Sequence, residues 1–201
     1  NHLMLKRISQ FFQRDKSSKS ASGPLVFGDG QHCLSPDMIN RDAFKVVDVL
    51  QKAGFEAYVV GGCVRDLLIG LKPKDFDVAT NATPQQVHKV FRNSRIIGRR
   101  FQIVHVRFGR EIIEVSTFRA QHNQQKSNDA GHVLDDNVFG SFESDAFRRD
   151  FTVNALYYCA TDERVLDPTD QGLNDLASKQ LRLIGDPATR FKEDPVRMLR
   201  A

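Results

Sequence analysis

The sequence predicts an α/β fold, a mixed sheet with flanking helices, and three observations carry that prediction. Helical and strand-like periodicities alternate between Ser35 and Phe118. Two runs of alternating apolar and polar residues, Phe101 to Phe108 and Glu111 to Phe118, are joined by Gly109-Arg110, a two-residue hairpin signal. The third observation is scale. The chain has 201 residues, 40% of them apolar and 27% charged, enough to bury a core. No apolar run approaches the ~20 residues that span a bilayer.

Taken in order, residues 1–24 form a flexible basic extension. Leu5, Ile8, Phe11 and Phe12 share one helical face with Lys6, Arg7 and Arg14 around it, and the small polar residues from Ser17 to Gly23 act as a tether. That face is either a fraying helix in a loose tail or a surface for a membrane or a partner. Ser35-Pro36-Asp37 has the N-cap, first-position proline and first-turn acid of a helix start, and Ala53-Gly54 supplies the stop. Phe44, Val47 and Leu50 line one side of that helix. A short strand from Phe55 to Val60 follows, then a Gly61-Gly62 break and an amphipathic turn from Val64 to Ile69. Asp75 to Thr80 reads as a second strand, and Thr83-Pro84 opens a helix reaching about Arg92.

Beyond the hairpin, Ala120 to Asn137 is polar and aperiodic, a long loop of the kind that is functional or disordered in compact domains. Helical pattern returns over Ser144 to Ala155 and Leu173 to Ala177, with an extended piece from Leu181 to Ile184 and a last helix from Pro187. The expected organisation is a sheet domain over residues 25–160 and the start of an α-helical module over residues 161–201. The chain stops inside an unfinished pattern of Pro195, Val196, Met198 and Leu199, as a fragment of a longer protein would.

Charge and cysteine usage narrow the function. Twenty-nine Lys and Arg against 25 Asp and Glu leave a net charge of +4, a mild excess with an uneven distribution. From Ala79 to Arg110 there is no acid, while Lys89, Arg92, Arg95, Arg99, Arg100, Arg107 and Arg110 contribute seven positive charges. Such a tract repels itself unless something anionic lies near. Cys33, Cys63 and Cys159 are odd in number and far apart, which excludes a disulfide framework and a zinc knuckle. A reducing cytoplasm is the expected compartment.

The sharpest chemical feature is Gly61-Gly62-Cys63-Val64-Arg65-Asp66, followed nine residues later by Asp75-Phe76-Asp77. In a strand, Asp75 and Asp77 project from one face and Phe76 from the other. Carboxylates about 6–7 Å apart on one face repel unless a cation sits between them, and hard oxygen ligands select Mg²⁺ or Mn²⁺. A divalent pair activates a hydroxyl and stabilises pyrophosphate in nucleotidyl transfer. Gly61-Gly62 at a strand-to-helix turn offers bare backbone N–H groups to a phosphate chain, on which Arg65 could close.

Other acids extend the pattern. Glu114, boxed by Ile112, Ile113 and Val115, either faces Asp75 and Asp77 as a third metal ligand or pairs with Arg107 across the hairpin. Asp150 and Asn154 stand one helical turn apart behind Arg148-Arg149, able to read a ribose or hold a phosphate-bound arginine. Glu193 and Asp194 lie one turn from Arg197, which is either a helix salt bridge or a carboxylate-plus-guanidinium face that matches the edge of a nucleobase.

In this order the motifs resemble a known family. Gly61-Gly62 with Val64-Arg65-Asp66 and Asp75-Phe76-Asp77 come first, then Arg148-Arg149-Asp150-Phe151-Thr152 with Asn154-Ala155. Asp167-Pro168 with Gly172 and Asp175-Leu176 follow, and then Arg190-Phe191 with Glu193-Asp194-Pro195 and Arg197. From about Phe55 to Ala201 the sequence is similar to the bacterial class II tRNA nucleotidyltransferase and poly(A) polymerase family. The resemblance implies a polymerase-beta-like nucleotidyltransferase head followed by the start of a helical neck domain. It implies that Asp75 and Asp77 bind the catalytic metals, Mg²⁺ or Mn²⁺, and that Gly61, Gly62 and Arg65 hold the triphosphate. Arg149, Asp150 and Asn154 would organise the ribose and the active-site face, while Glu193, Asp194 and Arg197 would select the base.

The segment from Ile96 to Val106 and the basic extension are similar to the poly(A) polymerase branch. That branch implies ATP and an RNA 3′ end as partners, without DNA, and untemplated addition of AMP to RNA. CCA addition to tRNA and a non-catalytic RNA-binding derivative of the fold are the alternatives.

Overall fold

A computed structural model describes residues 25–28, 32–99, 101–120, 139–193 and 196. The N-terminal extension and all of the expected long loop except Ala120 lie outside the described residues. In chain order the elements are β1 (Leu25–Phe27), α1 (Arg41–Lys52), β2 (Ala57–Val60), α2 (Gly62–Leu68), β3 (Asp77–Thr80), α3 (Pro84–Val90) and β4 (Ser94–Ile97). They continue with β5 (Ile103–Phe108), β6 (Glu111–Thr117), α4 (Phe142–Phe147), β7 (Tyr157–Cys159), β8 (Arg164–Asp167), α5 (Gly172–Ser178) and α6 (Pro187–Glu193).

The strands form one mixed sheet of order β1-β8-β7-β2-β3-β6-β5-β4. Only β3 and β6 run parallel; the other neighbours are antiparallel. Phe108 pairs with Glu111, so Gly109-Arg110 is the two-residue turn the sequence announces, with Gly109 at φ +59°. A division at residue 160 would fall inside the β7–β8 hairpin, because β8 belongs to the same sheet as β7.

Alternation along each strand sorts the sheet into two faces. Val59, Val78, Val104, Val106, Ile113 and Val115 meet Val46, Val47 and Leu50 of α1, Val64 and Leu67 of α2 and Val87 of α3 in the larger core. The opposite face holds a smaller cluster in which Val60, Ala79, Phe118 and Tyr157 pack with Ala146 of α4 and Ile184. Toward β5 and β6 that second face carries exposed side chains, Glu114 and Arg107 among them. Among the described residues, no helix is long and apolar enough to cross a membrane.

Three expectations about local structure are corrected. The helix placed from Ser35 to Ala53 is a single 3-10 turn over Pro36–Met38, an extended Ile39, and then α1. Asn40 explains the break: its side chain accepts from Asp42 N at 2.8 Å and Ala43 N at 3.3 Å, whereas Ser35 makes no capping bond. The strand expected from Asp75 begins only at Asp77, because the partner registers on both sides end there, at Val60 and Glu114. The helical stretch from Ser144 to Ala155 is α4 followed by an extended Phe151 and a 3-10 turn over Thr152–Asn154. Asp150 accepts the Phe151 N–H at 2.8 Å, and Phe151 bridges to Leu183, so backbone pairing replaces helix.

Candidate active site

The site is assembled around the turn from β2 into α2. Gly61 has φ +84° and ψ −137°, a conformation that side-chain-bearing residues avoid, and its N–H bonds Leu156 O at 3.0 Å. A Cβ at Gly61 would lie 3.6 Å from Arg149 Nη1 and 3.7 Å from Asn154 O, and one at Gly62 would lie 3.5 Å from Arg65 Nη2. The double glycine is therefore a bare floor on which Arg65, Arg149 and Asn154 converge.

Hydrogen bonds fix two of those groups in a chain. Arg65 donates through Nε and Nη2 to Asp66 Oδ1, at 2.9 and 2.7 Å, and through Nη1 to Asn154 Oδ1 at 2.7 Å. Asn154 in turn donates through Nδ2 to Asp150 Oδ1 at 3.2 Å. Asp150 and Asn154 do stand four residues apart and joined, through the 3-10 turn rather than an α-helix. An arginine is held by Asn154, and that arginine is Arg65.

Arg149 is anchored by a residue that the motifs do not single out. Asp145 on α4 is fully buried, and its Oδ2 accepts from Arg149 Nη2 at 3.0 Å and from the Tyr157 hydroxyl at 2.8 Å. Its Oδ1 accepts from Arg148 Nε at 2.9 Å and from the Arg119 N–H at 3.2 Å. Burial pushes the Asp145 carboxyl up, but the Arg149 and Arg148 guanidinium groups outweigh it and hold the carboxyl below the usual carboxylate range. Burial likewise opposes the charge on Arg149, while Tyr157 and Asp145 keep it firmly protonated. The signal available in the sequence was a lone acid three and four residues before an Arg-Arg pair on an expected helix.

The carboxylates form a different environment. Asp77 and Glu114 are register partners on parallel neighbouring strands, so their side chains leave the same face of the sheet. Loss of hydration comes first among the causes that push the Asp77 carboxyl up; Glu114 and Asp75 add to it, and Arg149 opposes. Asp75 sits on exposed chain just ahead of β3, close enough for its charge to act on Asp77. Cys63, beneath this edge, is a buried thiol donating to Val60 O at 3.2 Å, and burial raises its pKa to about 11.

Glu114 leaves the same sheet face as Asp77, and Arg107, the alternative partner, does not stand opposite it. Arg107 stands opposite Ile112, and the residue opposite Glu114 is His105, whose buried Nε2 lies 3.3 Å from Glu114 Oε1 without hydrogen-bonding it. Among the described residues, no group of three or more His, Cys, Asp or Glu side chains stands close enough to make a ready-formed metal centre. Asp75, Asp77 and Glu114 thus share a field without sharing one preformed ligand set.

The Asp167 and Asp175 motif is scaffolding. Asp175 on α5 is buried and accepts from Thr152 Oγ1 at 2.7 Å and from Arg182 Nε at 2.9 Å. Gly172 lets α5 approach: a Cβ there would come within 2.6 Å of Thr152 O. Asp167 Oδ2 accepts the Leu173 N–H at 3.0 Å. These contacts press α5 onto the turn that carries Asn154. Of the proposed base-selecting residues, Glu193 closes α6, while its side chain, Asp194 and Arg197 lie outside the described residues.

Residues 57–182 match the family model described as the poly A polymerase head domain. The chain is 57% identical over 183 residues to poly(A) polymerase I of Haemophilus influenzae, an alignment covering 88% of this chain and 40% of that protein. The CC-adding tRNA nucleotidyltransferase of Halalkalibacterium halodurans is more distant, 39% identical over 165 residues, covering 82% of this chain and 38% of that one. Among solved structures, the Bacillus stearothermophilus CCA-adding enzyme in complex with CTP superposes with a TM-score of 0.68 and 32% identity over 84% of this chain and 38% of that chain. The mixed sheet with flanking helices is thus a nucleotidyltransferase head. The chain spans about two fifths of the length of the curated relatives it matches.

Proposed function

The chain belongs to the poly(A) polymerase head-domain family, and from that premise we propose that it is the catalytic head of a template-independent polynucleotide adenylyltransferase. The whole protein would add AMP from ATP to the 3′ end of RNA, in the cytoplasm. The observation that carries this reading is the margin of similarity, 57% to a poly(A) polymerase I over 183 residues against 39% to a CC-adding enzyme over 165.

The donor set suits a hard divalent cation. Asp75, Asp77 and Glu114 are oxygen donors, and Glu114 and Asp75 add negative charge around an Asp77 carboxyl that loss of hydration already pushes up. Asp75 and Asp77 would hold the ion, with Glu114 drawn in as the third donor. When bound, Mg²⁺ or Mn²⁺ supplies neutralisation of the triphosphate and activation of the attacking 3′ hydroxyl.

The chain's own groups do the rest. The bare backbone of Gly61 and Gly62 takes the triphosphate, and Arg65, braced by Asp66 and Asn154, closes on it. Arg149, held on Asp145, brings a fixed positive charge beside Gly61. Asp150 and Asn154 orient the ribose side, and Glu193, Asp194 and Arg197 read the base. Adenine offers an amino donor beside a ring acceptor, which a carboxylate and a guanidinium satisfy together; guanine sets an acceptor against the carboxylate.

The test is primer extension by the full-length protein, with a general RNA and a tRNA lacking its CCA end, given each nucleoside triphosphate separately. Extension of the general RNA with ATP alone is the expected result. Addition of CTP to the tRNA as readily as ATP to the general RNA replaces this reading with CCA addition.

A further inference from the structure

Arg190 on α6 reaches back across the molecule. Its Nε donates to Ile184 O at 3.1 Å, and its Nη2 donates to the carbonyls of both Arg148 and Arg149. Arg148 caps the end of α4, where carbonyls lack partners within the helix. One guanidinium, a rigid fork of donors, thus ties three backbone acceptors from two segments.

The surroundings are built for that tie. Residues 182–184 lie against residues 150–152: Thr152 N donates to Arg182 O at 3.0 Å, Ile184 N to Asp150 O at 2.8 Å, and Phe151 bridges Leu183. Gly185 turns the chain at φ +89°, and a Cβ there would meet Arg190 Cδ at 3.3 Å. The glycine supplies both the turn and the room for the arginine stem. Asp186 then starts α6, accepting from the Thr189 N–H and hydroxyl at 2.9 Å each. At the other end of the tie, the guanidinium of Arg149 lies on Asp145 beside Gly61.

We propose that Arg190 is a positioning residue that locks α6 to the Arg148-Arg149 backbone, so that the helix leading in sequence to the base-selecting residues and the arginine beside the triphosphate floor keep one fixed relation. The proposal rests on the reading that Glu193, Asp194 and Arg197 select the base. Release of the tie lets base and phosphate be held independently, and discrimination suffers more than turnover.

The experiment uses the full-length protein and measures kcat and KM for the triphosphate that wild type prefers, the preference ratio over the other triphosphates, and Tm. Arg190→Ala is expected to lower the preference ratio roughly 3- to 30-fold, with KM rising more than kcat falls. Arg190→Lys, which keeps charge and donors without the fork, should recover part of the ratio. Gly185→Ala strains the turn at φ +89° and crowds the arginine stem while keeping the guanidinium, and should move the ratio the same way by less. A wild-type ratio in Arg190→Ala, whatever its Tm, overturns the proposal. Should Arg190→Ala fail to fold, an unchanged ratio in Gly185→Ala overturns it alone. Arg197→Ala separates the two ideas: a wild-type ratio there fails the base-selecting reading of Glu193, Asp194 and Arg197, whereas a wild-type ratio in the Arg190 variants alone fails this one. If wild type prefers CTP on a tRNA acceptor, polyadenylation fails and the Arg190 proposal is still decided on that triphosphate.

Discussion

Asp145 and Asp77 are both carboxylates within the influence of Arg149, and the fold treats them in opposite ways. Asp145 is sealed in the protein with two arginines, a tyrosine hydroxyl and a backbone N–H on its oxygens, and its carboxyl is held below the ordinary range. Asp77 stands on the open sheet face with Glu114 and Asp75 as neighbours, and its carboxyl is pushed up. The chain sets two arginines against one acid, and surrounds the other with loss of hydration and two carboxylates that Arg149 does not offset. A closed, balanced network fixes geometry; a crowded, unbalanced one leaves binding energy for something that arrives from solution.

Breaking the balanced region should give the largest effect. Asp145→Asn leaves two half-buried guanidinium groups short of their fully buried counter-charge and should cost about 3–5 kcal/mol of stability, read by urea denaturation. Because the folded carboxyl lies below its unfolded value, this stabilisation is complete above the unfolded pKa and is lost as pH falls through the folded one. The acid limb of the wild-type stability curve should therefore flatten in Asp145→Asn. Asp75→Ala strikes the other region. It should lower transfer by the full-length protein at least ~100-fold, about 3 kcal/mol, with Tm unchanged, since the side chain is exposed. More than a tenth of wild-type turnover would remove Asp75 from the metal site.

Smaller changes sharpen the contrast. Tyr157→Phe deletes the hydrogen bond to the Asp145 carboxylate and the acceptor of the Arg149 Nε–H, and should cost about 1.5–3 kcal/mol by the same denaturation assay. The expectation for Asp77 has the reverse sign. Its raised carboxyl means that stability falls as pH rises between the unfolded and folded pKa values, so Asp77→Asn should raise Tm at neutral pH by a degree or so. The smallest effect concerns His105 and Glu114. A double-mutant cycle with His105→Gln and Glu114→Gln should give a coupling below about 1 kcal/mol, and Arg107 should show none with Glu114.

Much of the fold and the Asp77 side of this contrast were legible in the sequence, and the misses have physical causes. The Thr83-Pro84 helix start is a capping box with Gln86, and the Gly109-Arg110 hairpin is in register, because both depend on contacts a few residues apart. The Gly61-Gly62 turn and the pairing of Asp150 with Asn154 were also local. The start of β3 at Asp77 was not, since it is set by Val60 and Glu114 on other strands. Strands β7 and β8 are three and four residues long and almost wholly buried, so they lack the alternation that marks a strand at a surface. Asp145 escaped notice because its spacing to Arg148 and Arg149 also marks an ordinary helix salt bridge, and Tyr157 and the Arg119 backbone, which complete its shell, are connected to it by no spacing rule. The Arg107 alternative for Glu114 fails for a similar reason: a diagonal neighbour stands two residues from the facing one, and His105 is the facing one.

The most direct test of the account is Mn²⁺ binding to the full-length protein in the presence of ATP, followed by electron paramagnetic resonance and competed with Mg²⁺. Wild type and Tyr157→Phe, altered only in the balanced region, should bind alike, and Asp77→Asn should lose binding while keeping a Tm at or above wild type. Unchanged Mn²⁺ affinity in Asp77→Asn would contradict the claim that the open carboxylates are the ones left for a cation.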